Sequence, residues 1–356
     1  MKILITALSG IGDALMFSPA IAALRKNLPH AQIDVLCMIK GVKEIYEANP
    51  NVNNVIYFNF MKEGFTKSLF FLFKIRKKYD VSFNVYPSNR KEYNVISFII
   101  GAKKRFAVKY LRMDFQNFGF LNNFRIAEND SLHNVEENIL LVEKLIKKKL
   151  EPTDLELFLD EKDISFANNY LISNSISDED FVIGFHAGCA TLKNHIKRRW
   201  EPEKFAELGL KLIKDYNSKI LLFGGPEEYK LNQQINSLMN YSAVQVETST
   251  LLQTAAIMKR CNLFITNDSA LMHISSALKL NTLAIFGPTN TNYVHPWKTN
   301  FRIAKLNLDC QPCFYYSPRP LTCSRKDVQF KCIKELTVDF VFNIASEFIK
   351  REKGIS

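Results

Sequence analysis

The chain has 356 residues, which is more than one hydrophobic core comfortably supports and is natural for two domains. Hydrophobic residues make up 47% and charged residues 23%, values that exclude wholesale disorder. The formal net charge is +11, and residues 62–114 hold much of it, with 13 Lys or Arg against 4 Asp or Glu. Such a region attracts nucleic acid, anionic lipid or a phosphorylated acceptor, or it is a solvated lysine surface, and charge alone leaves these alternatives open.

The apolar N-terminal stretch resembles a signal peptide only at first sight. Lys2 precedes apolar residues 3–24, but Asp13 and Pro19 interrupt them, and a cleaved signal needs an unbroken apolar core. Elsewhere the sequence has no run of 18 or more apolar residues, so no transmembrane helix is predicted. We therefore expect a cytoplasmic protein.

Short apolar strands alternate with helices in the first half. Strands are predicted at residues 2–8, 32–38, 54–58 and 80–85, and helices at residues 14–27, 43–48, 66–78 and 134–149. Residues 66–78 are amphipathic, and their apolar side, which includes Phe70 and Phe73, is expected in the core rather than on anionic lipid. The alternation implies right-handed βαβ units and a parallel sheet.

A second series of the same kind follows a helix and a polar linker in residues 161–180. Strands are predicted at residues 181–186, 219–223, 263–266 and 282–286, and helices at residues 202–216, 251–259, 271–278 and 337–351. We therefore predict an α/β chain of two Rossmann-like domains, residues 1–165 and 180–335. The terminal helix, residues 337–352, is expected to pack back on the first domain.

The first strand is predicted to end in a glycine-rich turn that carries a carboxylate. Gly10, Gly12 and Asp13 lie between this strand and the first helix, at the sheet edge where α/β proteins bind ligands. The third glycine of the dinucleotide fingerprint is missing, and a carboxylate here would repel a pyrophosphate. Asp13 is suited to accept a proton from a substrate hydroxyl, or it merely caps the helix.

Basic residues follow the first predicted strand of the second half. His186 ends this strand, and a basic cluster that contains Lys197 and Arg198 follows it. Basic side chains after a strand in this position suit a diphosphate. The alternative is an ordinary basic surface loop.

Residues 266–273 predict a second phosphate-binding element. Ser269 and Ala270 would lie at a helix N-terminus, where free N–H groups and the helix dipole favour phosphate. Asp268 is suited to a ribose or sugar hydroxyl, and His273 to the same ligand. A helix cap and a core histidine are the structural alternatives.

Four of the seven cysteines cluster near the C-terminus, at Cys310, Cys313, Cys323 and Cys332. The first spacing is compatible with zinc, but no second pair of the same spacing follows. Reduced or disulfide-linked loop cysteines are favoured over a structural zinc or iron site.

These segments together resemble glycosyltransferase family 9, the heptosyltransferases that build the lipopolysaccharide inner core. The resemblance rests on the ordered set Gly-Asp-x5-Pro-Ala at 12–20, His-Ala-Gly at 186–188, the basic element ending at Trp200, Gly-Gly-Pro-x-Glu at 224–228, Asn-Asp-Ser-Ala-Leu-Met-His at 267–273 and Phe-Gly-Pro-Thr at 286–289. Ala270 stands where the family usually has glycine.

The resemblance implies a GT-B fold, in which two Rossmann-like domains with parallel sheets face each other across a cleft. It implies an inverting transfer without metal or other cofactor, with ADP-heptose as donor and Asp13 as base. The acceptor would be a lipopolysaccharide or lipid A-core saccharide at the inner-membrane surface, where the enzyme is peripheral. Donor contacts are expected at His186, Lys197, Arg198, Asp268, Ser269, Ala270, His273, Gly287 and Thr289, and acceptor contacts at Gly10, Gly12, Arg90 and Lys104.

Three alternatives differ from this reading. One is a family member that uses a different donor sugar. Another is a nucleotide-sugar 2-epimerase, which would need no acceptor site and leaves the basic region 62–114 unexplained. A nucleic-acid binder is suggested by charge alone, and no helix-turn-helix, zinc-finger or RNP signature supports it. The pattern Asp178-x-Asp180 resembles a metal-binding motif but precedes a strand at its amino end, which indicates surface.

Overall fold

A computed structural model describes residues 1–315 and 319–354, which divide into two compact units. The first unit comprises residues 1–158 and the second residues 159–315 and 319–354. Each is a six-stranded sheet in which all registered neighbours are parallel. The predicted α/β class with two Rossmann-like domains is confirmed.

The first unit holds six strands and six α-helices. Its strands are β1 (Lys2–Ala7), β2 (Gln32–Cys37), β3 (Asn54–Tyr57), β4 (Val81–Asn84), β5 (Lys104–Lys109) and β6 (Phe124–Ala127). Its helices are α1 (Ile11–Met16), α2 (Ser18–Asn27), α3 (Lys40–Glu47), α4 (Phe65–Ile75), α5 (Lys91–Ile100) and α6 (Asn134–Ile146). The strand order is β3-β2-β1-β4-β5-β6, so the chain adds β2 and β3 on one side of β1 and β4 to β6 on its other side. The topological switch point therefore lies between the parallel neighbours β1 and β4.

The second unit repeats this arrangement. Its strands are β7 (Val182–His186), β8 (Lys219–Leu222), β9 (Val244–Gln245), β10 (Leu263–Asn267), β11 (Asn281–Ile285) and β12 (Phe301–Ala304). Its helices are α7 (Glu161–Ser173), α8 (Pro202–Tyr216), α9 (Tyr229–Leu238), α10 (Leu251–Met258), α11 (Ala270–Ala277), α12 (Thr291–Val294), α13 (Lys331–Lys334) and α14 (Val338–Lys353). The order β12-β11-β10-β7-β8-β9 reverses between β7 and β10.

The helix predicted at residues 14–27 is two helices. Phe17 ends α1, and α2 begins at Ser18 with Pro19 in its first turn. Proline is tolerated there because a first-turn N–H has no partner within the helix. The Ser18 hydroxyl donates to the Leu15 carbonyl at 2.7 Å and accepts from the Glu156 amide at 2.8 Å, so this break is tied to the far end of the unit.

The expected position of the terminal helix is wrong. Helix α14 packs against α8 of the second unit, and Val341, Ala345 and Ile349 are buried in the core of that unit. An apolar stripe of this kind is stabilised by the nearest open core, which is on β11 and β12. Helix α7 also belongs to the second unit, through contacts with α10, so the boundary lies at residue 158 and not within 165–180.

Within residues 1–315 and 319–354, no helix is long and apolar enough to cross a lipid bilayer.

Candidate active site

The reversal of strand order between β7 and β10 opens the carboxyl edge of the second sheet, the place where doubly wound sheets bind ligands. His186 is the last residue of β7, and Asn267 is the last residue of β10. The Asn267 amide donates to the Ala187 carbonyl at 2.8 Å and its oxygen accepts from the Trp200 amide at 3.1 Å. Asn267 thus fixes both turns that border the opening.

His186 is held between two polar groups. Its Nδ1 shares a hydrogen bond of 2.8 Å with the Ser269 hydroxyl, and its Nε2 lies 3.1 Å from Glu228 Oε2. Arg199 Nη2 lies 3.4 Å from Glu228 Oε1. Burial raises the pKa of Glu228, but His186, the Gly225 amide and Arg199 outweigh it and hold that pKa below the usual value. Glu228 is therefore an anion in a mostly basic setting.

Arg198 and Asp268 form a buried ion pair. Arg198 Nη1 donates to Asp268 Oδ2, which also accepts the Thr289 hydroxyl at 2.7 Å. The guanidinium carbon lies 5.6 Å from the Phe314 ring centroid. Lys197, the neighbouring candidate, is exposed. The structure therefore joins Arg198, Asp268 and Thr289 and leaves Lys197 outside this contact.

The N-terminus of α11 lies between the His186–Glu228 pair and the Arg198–Asp268 pair. Its N-cap, Ser269, makes no capping hydrogen bond, because its hydroxyl is engaged with His186. Asp268 does not cap the helix either, since Arg198 and Thr289 hold the carboxylate oxygen Oδ2. Ser269 and Ala270 are partly exposed, so the first N–H groups of the helix remain suited to an anion.

His273 lies one turn into α11 and is 4% exposed. Its Nδ1 has no hydrogen-bond partner within the described part of the chain. Burial lowers the pKa of His273 to about 4, against a smaller opposing effect of Asp268. The ring is therefore neutral at physiological pH, which fits the core-histidine alternative as well as a ligand contact.

Gly287 has a packing role. A Cβ atom there would lie 2.5 Å from the Ile333 side chain, so glycine is needed for α13 to approach. The Gly287 carbonyl accepts from the Gln311 side chain at 2.6 Å. These contacts account for Gly287 without a ligand.

Asp13 lies at the corresponding opening of the first sheet, where the order reverses between β1 and β4. Its Oδ2 accepts from the Gly10 amide, the N-cap of α1, at 2.9 Å. The capping alternative is thus part of its role, and a Cβ at Gly10 would lie 3.3 Å from that oxygen. Gly12 is buried in the same turn.

Tyrosines line the neighbourhood of Asp13. Burial raises the pKa of Tyr93 and of Tyr110, and the Asp13 charge adds to both shifts. The Tyr110 hydroxyl accepts from the Ser88 amide at 2.6 Å, in the segment that follows β4. These hydroxyl groups therefore stay neutral and are suited to a polyhydroxylated ligand.

The two basic acceptor candidates lie at opposite edges of the first sheet. Arg90 immediately precedes α5, beyond the carboxyl end of β4, and its guanidinium lies 5.7 Å from the Tyr93 ring centroid. Lys104 begins β5 and pairs in register with Val81, itself level with Ile3 at the amino end of β1. Lys104 therefore lies at the edge of the sheet away from Asp13, because the amino ends of parallel strands lie opposite the binding edge.

The four C-terminal cysteines are free. Burial, followed by the neighbouring thiols Cys313, Cys323 and Cys310, raises the pKa of Cys332 to about 11. Among the residues that the structure describes, no group of three or more His, Cys, Asp or Glu side chains is arranged to hold a metal ion.

Sequence reasoning assigned no role to Glu228, Arg199 or Asn267. Glu228 was part of the Gly-Gly-Pro-x-Glu pattern, and its place just after β8 was the available signal. A Cβ at Gly188 would meet Glu228 Oε1 at 1.6 Å, which shows how closely the two turns approach.

The chain is similar to known proteins over most of its length. The model of glycosyltransferase family 9 (heptosyltransferase) matches residues 75–321. A lipooligosaccharide heptosyltransferase 2 of Campylobacter jejuni is 28% identical over 345 residues, which cover 94% of this chain and 95% of the relative. Lipopolysaccharide heptosyltransferase 2 of Escherichia coli is 24% identical, over 86% of this chain and 88% of the relative.

Solved structures share the fold. The E. coli ADP-heptose lps heptosyltransferase II superposes with a TM-score of 0.75 at 20% identity, covering 99% of this chain and all of that one. An E. coli heptosyltransferase with ADP-2-deoxy-2-fluoro heptose has a TM-score of 0.70 at 18% identity, covering 98% and 99%.

Proposed function

Because this chain belongs to glycosyltransferase family 9, we propose that it transfers heptose from ADP-heptose to a lipopolysaccharide-core saccharide, with inversion and without a metal ion. The relatives named above are heptosyltransferases of lipopolysaccharide or lipooligosaccharide, and one solved structure contains an ADP-heptose analogue. The single observation that carries the proposal is the opening at β7 and β10, where Arg198, Asp268 and the N-terminus of α11 meet.

The donor binds at this opening. The diphosphate lies at the free N–H groups of Ser269 and Ala270, and the basic loop that contains Lys197 and Arg198 adds positive charge. Asp268 and Glu228 accept hydrogen bonds from donor hydroxyl groups. His186 and Thr289 hold these carboxylates in place, at 3.1 Å and 2.7 Å.

Asp13 acts as the base. It removes the proton of the acceptor hydroxyl while that oxygen forms a bond to the anomeric carbon of the heptose. The bond from this carbon to the diphosphate oxygen breaks on the opposite face, so the configuration inverts and ADP leaves. The charge that develops on the leaving diphosphate is stabilised by the helix N-terminus and the basic loop, which is why no divalent cation is needed.

The acceptor carries the lipid anchor, so the enzyme works at the surface of the inner membrane. The first unit binds the saccharide around Asp13, with Gly10, Gly12 and Arg90 as contacts. Arg90 attracts the carboxylates or phosphates of a core saccharide.

The test is transfer from a panel of ADP-, UDP- and GDP-sugars to a delipidated core oligosaccharide, with the product analysed by mass spectrometry and NMR. We expect transfer from ADP-heptose, an inverted anomeric centre and undiminished activity in excess EDTA. Loss of activity that magnesium restores would contradict the metal-independent mechanism. Transfer from another donor alone would place the chain with relatives of different sugar specificity.

Omitting the acceptor tests the epimerase alternative. An epimerised nucleotide sugar formed without acceptor would favour that enzyme class over a transferase. Salt-sensitive binding to random duplex DNA, without binding of any nucleotide sugar, would favour the nucleic-acid alternative.

A further inference from the structure

The first unit leaves an unusual number of phenylalanines in solvent on one side. Helix α4 contacts α5, and α5 contacts the turn Gly119–Leu121, so these elements form one outer layer over the sheet. Exposed on this layer are Phe65, Phe70, Phe73, Phe98, Phe115 and Phe120, which we call the phenylalanine face. Phe70 is 77% exposed and Phe115 is 76% exposed.

The core of the unit does not use these side chains. The inner side of α4 is already filled by Leu72 and Ile75, and Phe71 stacks on Phe58 with ring centroids 4.2 Å apart. The expectation that Phe70 and Phe73 belong to the core is therefore wrong. Six exposed phenylalanines on neighbouring elements exceed the scattered single apolar residues of an ordinary protein surface, and such a concentration marks a surface that binds a partner.

The charge around the phenylalanine face identifies the partner. The exposed basic side chains in and beside α4 and α5 include Lys62, Lys67, Lys74, Arg76, Lys77, Lys78 and Lys91. Acidic side chains are fewer, and one of them, Glu63, is paired with Lys67 at 3.3 Å. Aromatic rings enter the interfacial zone of a bilayer while lysine ammonium groups stay with anionic head groups.

We propose that the phenylalanine face docks on a bilayer that contains anionic phospholipids. This inference extends the proposed function, since a lipid-anchored acceptor requires an enzyme that works at such a surface. Helices α4 and α5 lie on the flank of the first sheet. Docking there leaves the carboxyl edge with Asp13 uncovered for the saccharide.

The test is co-sedimentation of the full chain with vesicles of phosphatidylglycerol and phosphatidylethanolamine, against vesicles of phosphatidylcholine alone. We expect binding to the anionic vesicles that weakens at high salt. Lys74→Glu with Lys78→Glu should lower the partition coefficient roughly 30-fold or more, because each lost basic charge costs about fivefold. Phe70→Ser with Phe73→Ser should lower it at least about tenfold.

Matched controls carry the same changes on the second unit. Ile172 and Tyr241 are exposed to 74% and 73%, and changing both to serine should leave vesicle binding unchanged. Lys214→Glu with Lys230→Glu controls for net charge. Vesicle binding by the phenylalanine double variant at the wild-type level would overturn the proposal. Equal losses of vesicle binding in the control variants would overturn it as well. So would a dimer of the wild-type chain that dissociates in the phenylalanine variant without any vesicle binding.

A second readout separates this proposal from the proposed function. The phenylalanine variant should retain kcat/KM on a delipidated acceptor and lose it on the lipid-anchored form of that acceptor embedded in anionic vesicles. Vesicle binding by a chain that transfers no heptose would leave the docking surface intact and remove the proposed function. If the phenylalanine variant transfers heptose to the embedded acceptor at the wild-type rate, the proposed function stands and the docking surface is removed.

Discussion

Asp13 makes the contact that an ordinary helix-capping carboxylate makes, and its proposed role as a base must be tested apart from that contact. Asp13→Asn preserves the shape of the side chain and removes the base. We expect transfer to fall roughly 100-fold or more while ADP-heptose binding persists. Steady-state transfer assays and calorimetric donor titration measure the two effects.

Asp163 supplies the matched control for Asp13. It occupies the same position in the first turn of α7, where its Oδ2 accepts from the N-cap amide of Asp160 at 3.4 Å. Asp163→Asn should change the melting temperature about as much as Asp13→Asn and leave transfer unchanged. Transfer by Asp13→Asn at the wild-type rate would remove the base assignment.

His273 makes stability depend on pH. Its folded pKa of about 4 lies below the unfolded value of 6.5, so the unfolded chain binds the proton more readily. The stabilisation is complete above about pH 6.5 and is lost as the pH falls toward 4. Between pH 7 and 4.5 this residue should account for about 2–3 kcal/mol of the decline in unfolding free energy.

Urea unfolding of His273→Gln measures this contribution. The variant should show a shallower decline between pH 7 and 4.5 than the wild-type chain. His30 is exposed, and His30→Gln should keep the wild-type slope. Parallel curves for His273→Gln and the wild-type chain would show that His273 is not buried as a neutral ring.

At the residue scale, the sequence predicted which residue types line the second opening but not their partners. Lys197 and Arg198 are adjacent, and only the fold decides which one turns inward. The left-handed backbone of Lys193 and Asn194 bends this loop so that Arg198 faces Asp268. Pattern alone carries no information on such a bend.

At the element scale, the turn after β7 and the 3-10 turn Pro226–Glu228 are packed so closely that a methyl group would not fit between them. Gly188→Ala would place its Cβ at the position of the Glu228 carboxylate and move Glu228 away from His186. We expect a loss of about 2–3 kcal/mol in unfolding free energy, because a buried charged hydrogen bond is broken. Donor affinity should fall as well.

Gly225→Ala is the control for this packing. No atom lies within 4 Å of a Cβ placed at Gly225, and its φ of −82° suits alanine. Its unfolding free energy and donor affinity should stay near those of the wild-type chain. Equal unfolding free energies of the two alanine variants in chemical denaturation would show that the close approach of Gly188 to Glu228 does not contribute to stability.

The strands that carry the two openings were predictable because each is a short apolar run followed by Gly, Asn or Asp. Strands β5, β6, β9 and β12 were not predicted. Strands β6, β9 and β12 are edge strands with half-exposed residues, and β5 has charged ends, so none of them forms a fully apolar run. The terminal helix was recognised but placed on the wrong unit, because an apolar stripe does not specify which core it covers.

At the scale of the whole molecule, the net charge of +11 matters through the edge at which each basic residue lies. Arg90 and Lys104 were paired by the sequence as acceptor contacts, and the register of the first sheet separates them. The two make a matched pair, since each cation lies over an aromatic ring, at 5.7 Å for Arg90 and 5.8 Å for Lys104.

Arg90→Glu should raise the acceptor KM about three- to tenfold at low salt and leave donor affinity unchanged, because the charge acts on an anionic saccharide near Asp13. The effect should shrink at about 0.5 M salt, where screening shortens the reach of the charge to a few ångströms. Lys104→Glu alters the net charge equally but at the opposite edge, so its KM for a delipidated acceptor should stay close to wild type. Kinetics at two ionic strengths measure both variants. Equal KM increases would mean that global charge, and not the position of Arg90, governs the encounter, and weaker donor binding by Arg90→Glu would contradict its assignment to the acceptor.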